Sequence, residues 1–240
     1  MTYVAVALIS LIGCTAQTSC GIGYAMVVMA LMPLLVPFKT VAVLQIITVF
    51  PLVVYMAVRL RRHIRFSLIL WPLVASLITS PLGVKALTLS SDSLLRRALG
   101  LLLVLLTARF LWSLKRQKPV RATLVSSLAG GALSGFCAGM LNIGGPPLAA
   151  YMLAVSRSKE EYNASIQLYF AFLSVYVFLM HVLAGNVNSE VLSLCLPAFL
   201  GVAAGAWLGM KLFARLPLER IRQGVYGLMG LIGLYLLIRG

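Results

Sequence analysis

The chain has 240 residues, of which 61% are hydrophobic and 10% charged, with a mean hydropathy of +1.02 and a net charge of +15. A water-soluble core and shell cannot be built from so few polar groups, which makes this a polytopic, all-α membrane protein. The cations lie in short connecting segments, where anionic headgroups and the positive-inside rule account for them and nucleic acid is not needed.

In chain order, residues 2–37 come first: an apolar region too long for one crossing, interrupted by TSCGIG at 18–23. LIGC at 11–14 resembles a lipoprotein cleavage box, but no Lys or Arg precedes Lys39, so the basic flank of a cleaved signal is lacking. Three spans follow, at 40–58, 66–88 and 94–114, and then a basic linker at 115–121. Residues 122–156 form a second long apolar region, interrupted by NIGGPP at 142–147, and spans at 162–184, 190–210 and 220–238 complete the chain.

The charges select a topology. If each broken region crosses once, the loop cations divide evenly between the two faces. If each is a re-entrant hairpin of two half-helices of about 15 residues, roughly 22 Å each, only Lys39, Arg96, Arg97 and Arg239 lie on one face. The remaining fourteen loop cations then lie on the other. The second arrangement obeys the positive-inside rule and puts both termini outside. A hairpin plus three crossings is an odd-crossing unit, so two in tandem are inverted. GIG at 21–23 matches NIG at 142–144, LLRRALG at 94–100 matches LERIRQG at 218–224, Gln45 pairs with Gln167 and Gly83 with Gly205, all at nearly constant offset. The expected domains are therefore a first repeat over 1–114 and a second over 122–240, an arrangement typical of secondary transporters.

Irregular backbone at membrane depth requires surrounding protein or a polar cavity, so the two breaks point to an interior site. Asn142 or Gly144 can cap a new half-helix, Pro146 and Pro147 suit its first turn, and Gly144 and Gly145 allow close approach. In the first repeat Thr18, Ser19, Gly21 and Gly23 take the corresponding places. Helix N-termini with hydroxyl and amide donors suit an anion. Gln45 and Thr48 share one helix face and Asn163 and Gln167 another, and Gln45 and Gln167 are the amides expected beside the anion.

Other polar residues read more plainly. His181 is expected as an interfacial histidine, and Lys85 and Arg109 as snorkelling cations, with Lys85 a secondary candidate for attracting anions to the outer vestibule. Asp92, Glu160, Glu161, Glu190 and Glu219 all sit at or beside loops, which argues against a carboxylate proton relay and against metal-ion transport. Cys14, Cys20, Cys137 and Cys195 have no metal-type spacing and read as small fillers; neither metal nor cofactor is expected. Glycines at 131, 135 and 139 and at 201, 205 and 209 mark close-packing helix faces, within the chain or in a homodimer.

With these residues in view, the chain resembles the TauE/SafE sulfite exporter family, whose pattern has a Gly-rich GxGGG-type break in each of two repeats. The best match is GALSGFCAGMLNIGGPPLAAYML at 131–153, where Asn142 replaces the usual first glycine and Pro146 the last. GIGYA at 21–25 keeps Gly21, Ile22 and Gly23. The resemblance implies transport, commonly export, of sulfite or a small organosulfur anion across the cell membrane. An anion channel is the alternative, distinguished by conductance without saturation. A membrane-embedded enzyme would need a base beside Thr18, Ser19 or Cys20, and neither His63 nor His181 is placed to supply one.

Overall fold

The computed structural model describes residues 2–20, 22–113, 123–213, 227 and 230–238. All regular structure among them is helical: α1 Thr2–Cys20, α2 Tyr24–Leu31, α3 Phe38–Arg59, α4 Phe66–Leu89, α5 Asp92–Ser113, α6 Leu124–Leu141, α7 Gly145–Val155, α8 Lys159–Leu183 and α9 Ser189–Phe213. Short 3₁₀ turns at Met32–Leu34 and Arg61–His63 follow α2 and α3. The spans read from hydropathy fall on α3, α4, α5, α8 and α9; of 220–238, only residue 227 and the helical stretch 230–238 lie within the described residues. By length and composition, five described helices can cross a membrane: α3, α4, α6, α8 and α9. α5 has the length, 22 residues, but carries Asp92, Arg96, Arg97 and Arg109.

The chain divides into two compact units, neither of them a continuous stretch. The first comprises 1–48, 90–118 and 187–240, and the second 49–89 and 119–186.

In the first unit α1 and α9 run parallel along a glycine seam. A Cβ at Gly201 would stand 2.1 Å from the Ala7 carbonyl oxygen, one at Gly205 2.4 Å from that of Leu11 and one at Gly209 2.9 Å from that of Thr15. The Thr15 hydroxyl closes the seam by donating to the carbonyl oxygens of Leu11, at 2.8 Å, and Gly205, at 3.2 Å. The stretch 230–238 lies antiparallel to α5, with Gly233 on Gly100 and Gly230 on Thr107. At the start of α3 the Phe38 N–H donates to Asp92 Oδ2 at 3.2 Å, and the Thr40 hydroxyl to Glu190 Oε2 at 3.0 Å.

The second unit repeats this device with the glycines on the other partner. α6 runs parallel to α4, and Gly131, Gly135 and Gly139 press on the backbone of Pro72, Ser76 and Ser80. Both glycine stripes are thus filled from within the chain. Arg65 ties the start of α4 to α8: its guanidinium meets Glu161 at 3.2 Å and its N–H donates to the Ser165 hydroxyl at 3.2 Å. Because the ion pair is partly solvated, Glu161→Gln should change stability by no more than about 1 kcal/mol, read as the unfolding midpoint in detergent.

Each broken region folds back on itself. Gly23 lies against Ala16 and Gln17, and Tyr24 and Val28 both reach Gly13. Likewise Gly144 lies against Ser134 and Ala138, and Tyr151 reaches Gly130. Contacts that widen stepwise in sequence on either side of a turn define an antiparallel pair, so α2 returns along α1 and α7 along α6. The arms are unequal, against the expected halves of about 15 residues: α1 has 19 and α2 8, α6 has 18 and α7 11. In the second region the break sits late, leaving α6 about 27 Å long; in the first, α2 is short because the chain tightens after Leu31 into the 3₁₀ turn Met32–Leu34, which carries Pro33.

Candidate functional site

The NIGGPP segment works as two caps back to back. α6 ends when Asn142 adopts a left-handed conformation, φ 56°, while its own N–H and that of Ile143 turn back to the Cys137 carbonyl oxygen. A helix ending through a left-handed residue favours glycine and accepts asparagine most readily among other residues. Asn142 therefore caps the preceding helix; the N-cap of α7 is Gly144. Gly144 presses so closely on α6 that a Cβ would meet the Ser134 carbonyl oxygen at 2.8 Å. Gly145, Pro146 and Pro147 form the first turn of α7. The first N–H groups of a helix have no acceptor within it, and the two prolines have none to offer, so Gly145 supplies the first-turn donor.

In the other broken region α1 runs through Thr18 and Ser19 to Cys20, and Gly23 is the N-cap of α2 with φ 146°, a conformation open to glycine. Gly21 and the side chain of Ser19 lie outside the described residues. The Thr18 hydroxyl donates to the Cys14 carbonyl oxygen at 2.8 Å. The Tyr24 N–H is taken by Gln17 Oε1 at 3.1 Å, which leaves the N–H groups of Ala25 and Met26 as first-turn donors.

Gln45 lies buried in the first unit and Asn142 and Gln167 in the second. Residues 2–37 and 123–155 contain no Asp, Glu, Lys or Arg, so each break offers neutral donors alone. Among the described residues no group of three His, Cys, Asp or Glu could hold a metal ion. Lys85 is exposed and Cys14 and Cys137 are buried, as expected, whereas Cys195 is only partly buried. His181 corrects its expectation: it is fully buried, with Nδ1 3.0 Å from the Asn186 amide nitrogen. A position near the end of an apolar run does not reveal which face of the helix turns inward.

Two buried tyrosines are absent from the sequence reading. Tyr24 OH lies 2.7 Å from the Thr48 hydroxyl and 3.4 Å from that of Ser10, joining α1, α2 and α3 within the first unit. Tyr169 OH donates to the Ser134 hydroxyl at 2.9 Å and also bonds that of Ser76, joining α8, α6 and α4 within the second. Tyrosine in an apolar helix reads by default as an interfacial anchor. The available signal is the serines that α4 and α6 carry at matched heights, Ser76 and Ser134, which need a polar partner once buried.

A family model described as "Sulfite exporter TauE/SafE" matches residues 5–236. No curated protein and no solved structure gives a significant match.

Proposed function

The chain belongs to the TauE/SafE sulfite exporter family, and on that premise we propose that it is a secondary transporter. Its substrate is sulfite or a small organosulfur anion such as a sulfonate, exported across the cell membrane by alternating access. The observation that carries this reading is the break at Asn142–Pro147, where a charge-free apolar segment turns back on itself and exposes backbone donors at the start of α7. A transported anion must be held and then released, and neutral amides provide attraction without the trap of a buried cation. In this reading the donors offered to the anion are those of Asn142, Gly144, Gly145 and Gln167 in the second repeat and those of Thr18, Ser19, Gly21, Gly23 and Gln45 in the first.

The antiparallel packing of α2 on α1 and of α7 on α6 supports re-entrant hairpins, the arrangement under which the loop cations segregate. Inverted repeats over 1–114 and 122–240 draw support from the crosswise pairing within the units. The hairpin of the first repeat packs on α9, the second span of the other repeat, and the hairpin of the second packs on α4, the second span of the first. Both termini then face the outside.

Purified protein in proteoliposomes should take up labelled sulfite or a small sulfonate with saturation. A panel of sulfite, sulfonates and thiocarboxylates in which nothing moves removes the substrate assignment, and conductance that never saturates replaces the transporter by a channel.

A further inference from the structure

A chain of three buried hydroxyls ends on the backbone of the second break. The Gly144 carbonyl oxygen can only accept, and it takes the proton of the Ser134 hydroxyl at 2.7 Å. With its proton committed, Ser134 Oγ accepts from Tyr169 OH at 2.9 Å. Tyr169 oxygen in turn meets the Ser76 hydroxyl, which also lies 2.8 Å from the Gly131 carbonyl oxygen. Ser76, Ser134 and Tyr169 are all fully buried, so no water competes for these bonds and each is costly to leave unmade.

The direction of the relay matters because of the peptide it ends on. The described peptide bonds are all trans, so the C=O of Gly144 and the N–H of Gly145 point in opposite directions within one plane. Holding that C=O against α6 turns the Gly145 N–H away from α6. Pro146 and Pro147 carry no N–H, so the orientation of this peptide governs the first-turn donor of α7. We infer that Tyr169, acting through Ser134, is a positioning residue that holds the Gly144–Gly145 peptide with its N–H presented to the transported anion. This inference rests on the anion site proposed above.

Sulfite uptake into proteoliposomes tests it, with KM and Vmax measured per folded molecule. Tyr169→Phe and Ser134→Ala should each raise KM by about three- to tenfold, the range of one lost buried hydrogen bond, at nearly unchanged Vmax. The double variant should be no worse than Ser134→Ala alone, because one relay is being broken twice. Tyr151→Phe serves as the comparison: Tyr151 packs on Gly130, toward the end of α7 away from the break, and loss of its hydroxyl should leave KM unchanged. If Tyr169→Phe does not purify folded, Ser134→Ala alone carries the test. Saturable wild-type uptake with an unchanged KM in the relay variants, whether or not stability falls, overturns the positioning role alone. Wild-type protein with no saturable uptake of any anion overturns the transport reading and this inference with it.

Discussion

Gly139→Leu and Gly201→Leu should each yield protein that does not survive purification as a folded, monodisperse species. At Gly139 even a single Cβ stands 2.2 Å from the Ser80 carbonyl oxygen, and at Gly201 2.1 Å from that of Ala7. Both obstacles are helix backbone, which cannot rotate aside as a flexible side chain does. To admit a leucine, α6 must part from α4, or α9 from α1, along the length of the seam. Helices in a bilayer have little hydrophobic drive to re-associate and depend on close packing, so the contact that is lost is the one that holds the pair. Overpacking a dense interface typically costs about 1–3 kcal/mol, and a rigid clash repeated along a seam lies at or above the top of that range. Gly227 is the matched control, because a Cβ there meets nothing within 4 Å. Gly227→Ala should leave the unfolding midpoint in detergent unchanged or slightly raised.

Substitutions at Asn142 should separate backbone shape from anion binding. The residue has φ 56°, so Asn142→Gly relieves the conformational demand and should leave folding intact or improved. Asn142→Leu places a branched side chain in the left-handed region at a cost of about 1–2 kcal/mol and removes the amide. Asn142→Asp keeps size and tolerance of that region but adds a negative charge beside the proposed anion. Two charges about 5 Å apart at an effective dielectric of about 20 repel by about 3 kcal/mol, roughly a hundredfold in affinity. The expected order of sulfite affinity is therefore wild type, then glycine, then aspartate, with glycine as stable as wild type. Calorimetric titration of purified protein supplies the affinities. Equal affinity for wild type and aspartate removes Asn142 from the site.

The long elements were legible in the amino-acid order because membrane spans declare themselves through uninterrupted hydropathy, and α3, α4, α8 and α9 begin and end within about four residues of the expected bounds. The breaks were legible because glycine and proline punctuate helices locally. Asn142 illustrates the limit of such punctuation. An Asn between two helices serves either the ending or the beginning, and its positive φ assigns it to the ending of α6. Tyr169 and Ser134 illustrate another limit: neither stands out in an apolar run, and their bond links α8 to α6 across 35 positions of sequence. His181 fails for the same reason, since helical periodicity is faint where nearly every residue is apolar. The glycine stripes announced close packing, yet which helix would fill each stripe depended on the three-dimensional pairing of α6 with α4 and of α9 with α1.

The most direct measurement labels single cysteines with a membrane-impermeant reagent in intact cells and in inverted vesicles, in a background in which the native cysteines are replaced. Cysteine at Thr2 and at Leu35, on either side of the first break, should react from the outside in both cases, and cysteine at Thr123 and at Ser158, flanking the second, from the inside in both. Labelling of either pair from opposite faces contradicts the hairpins, and with them the anion site at their tips.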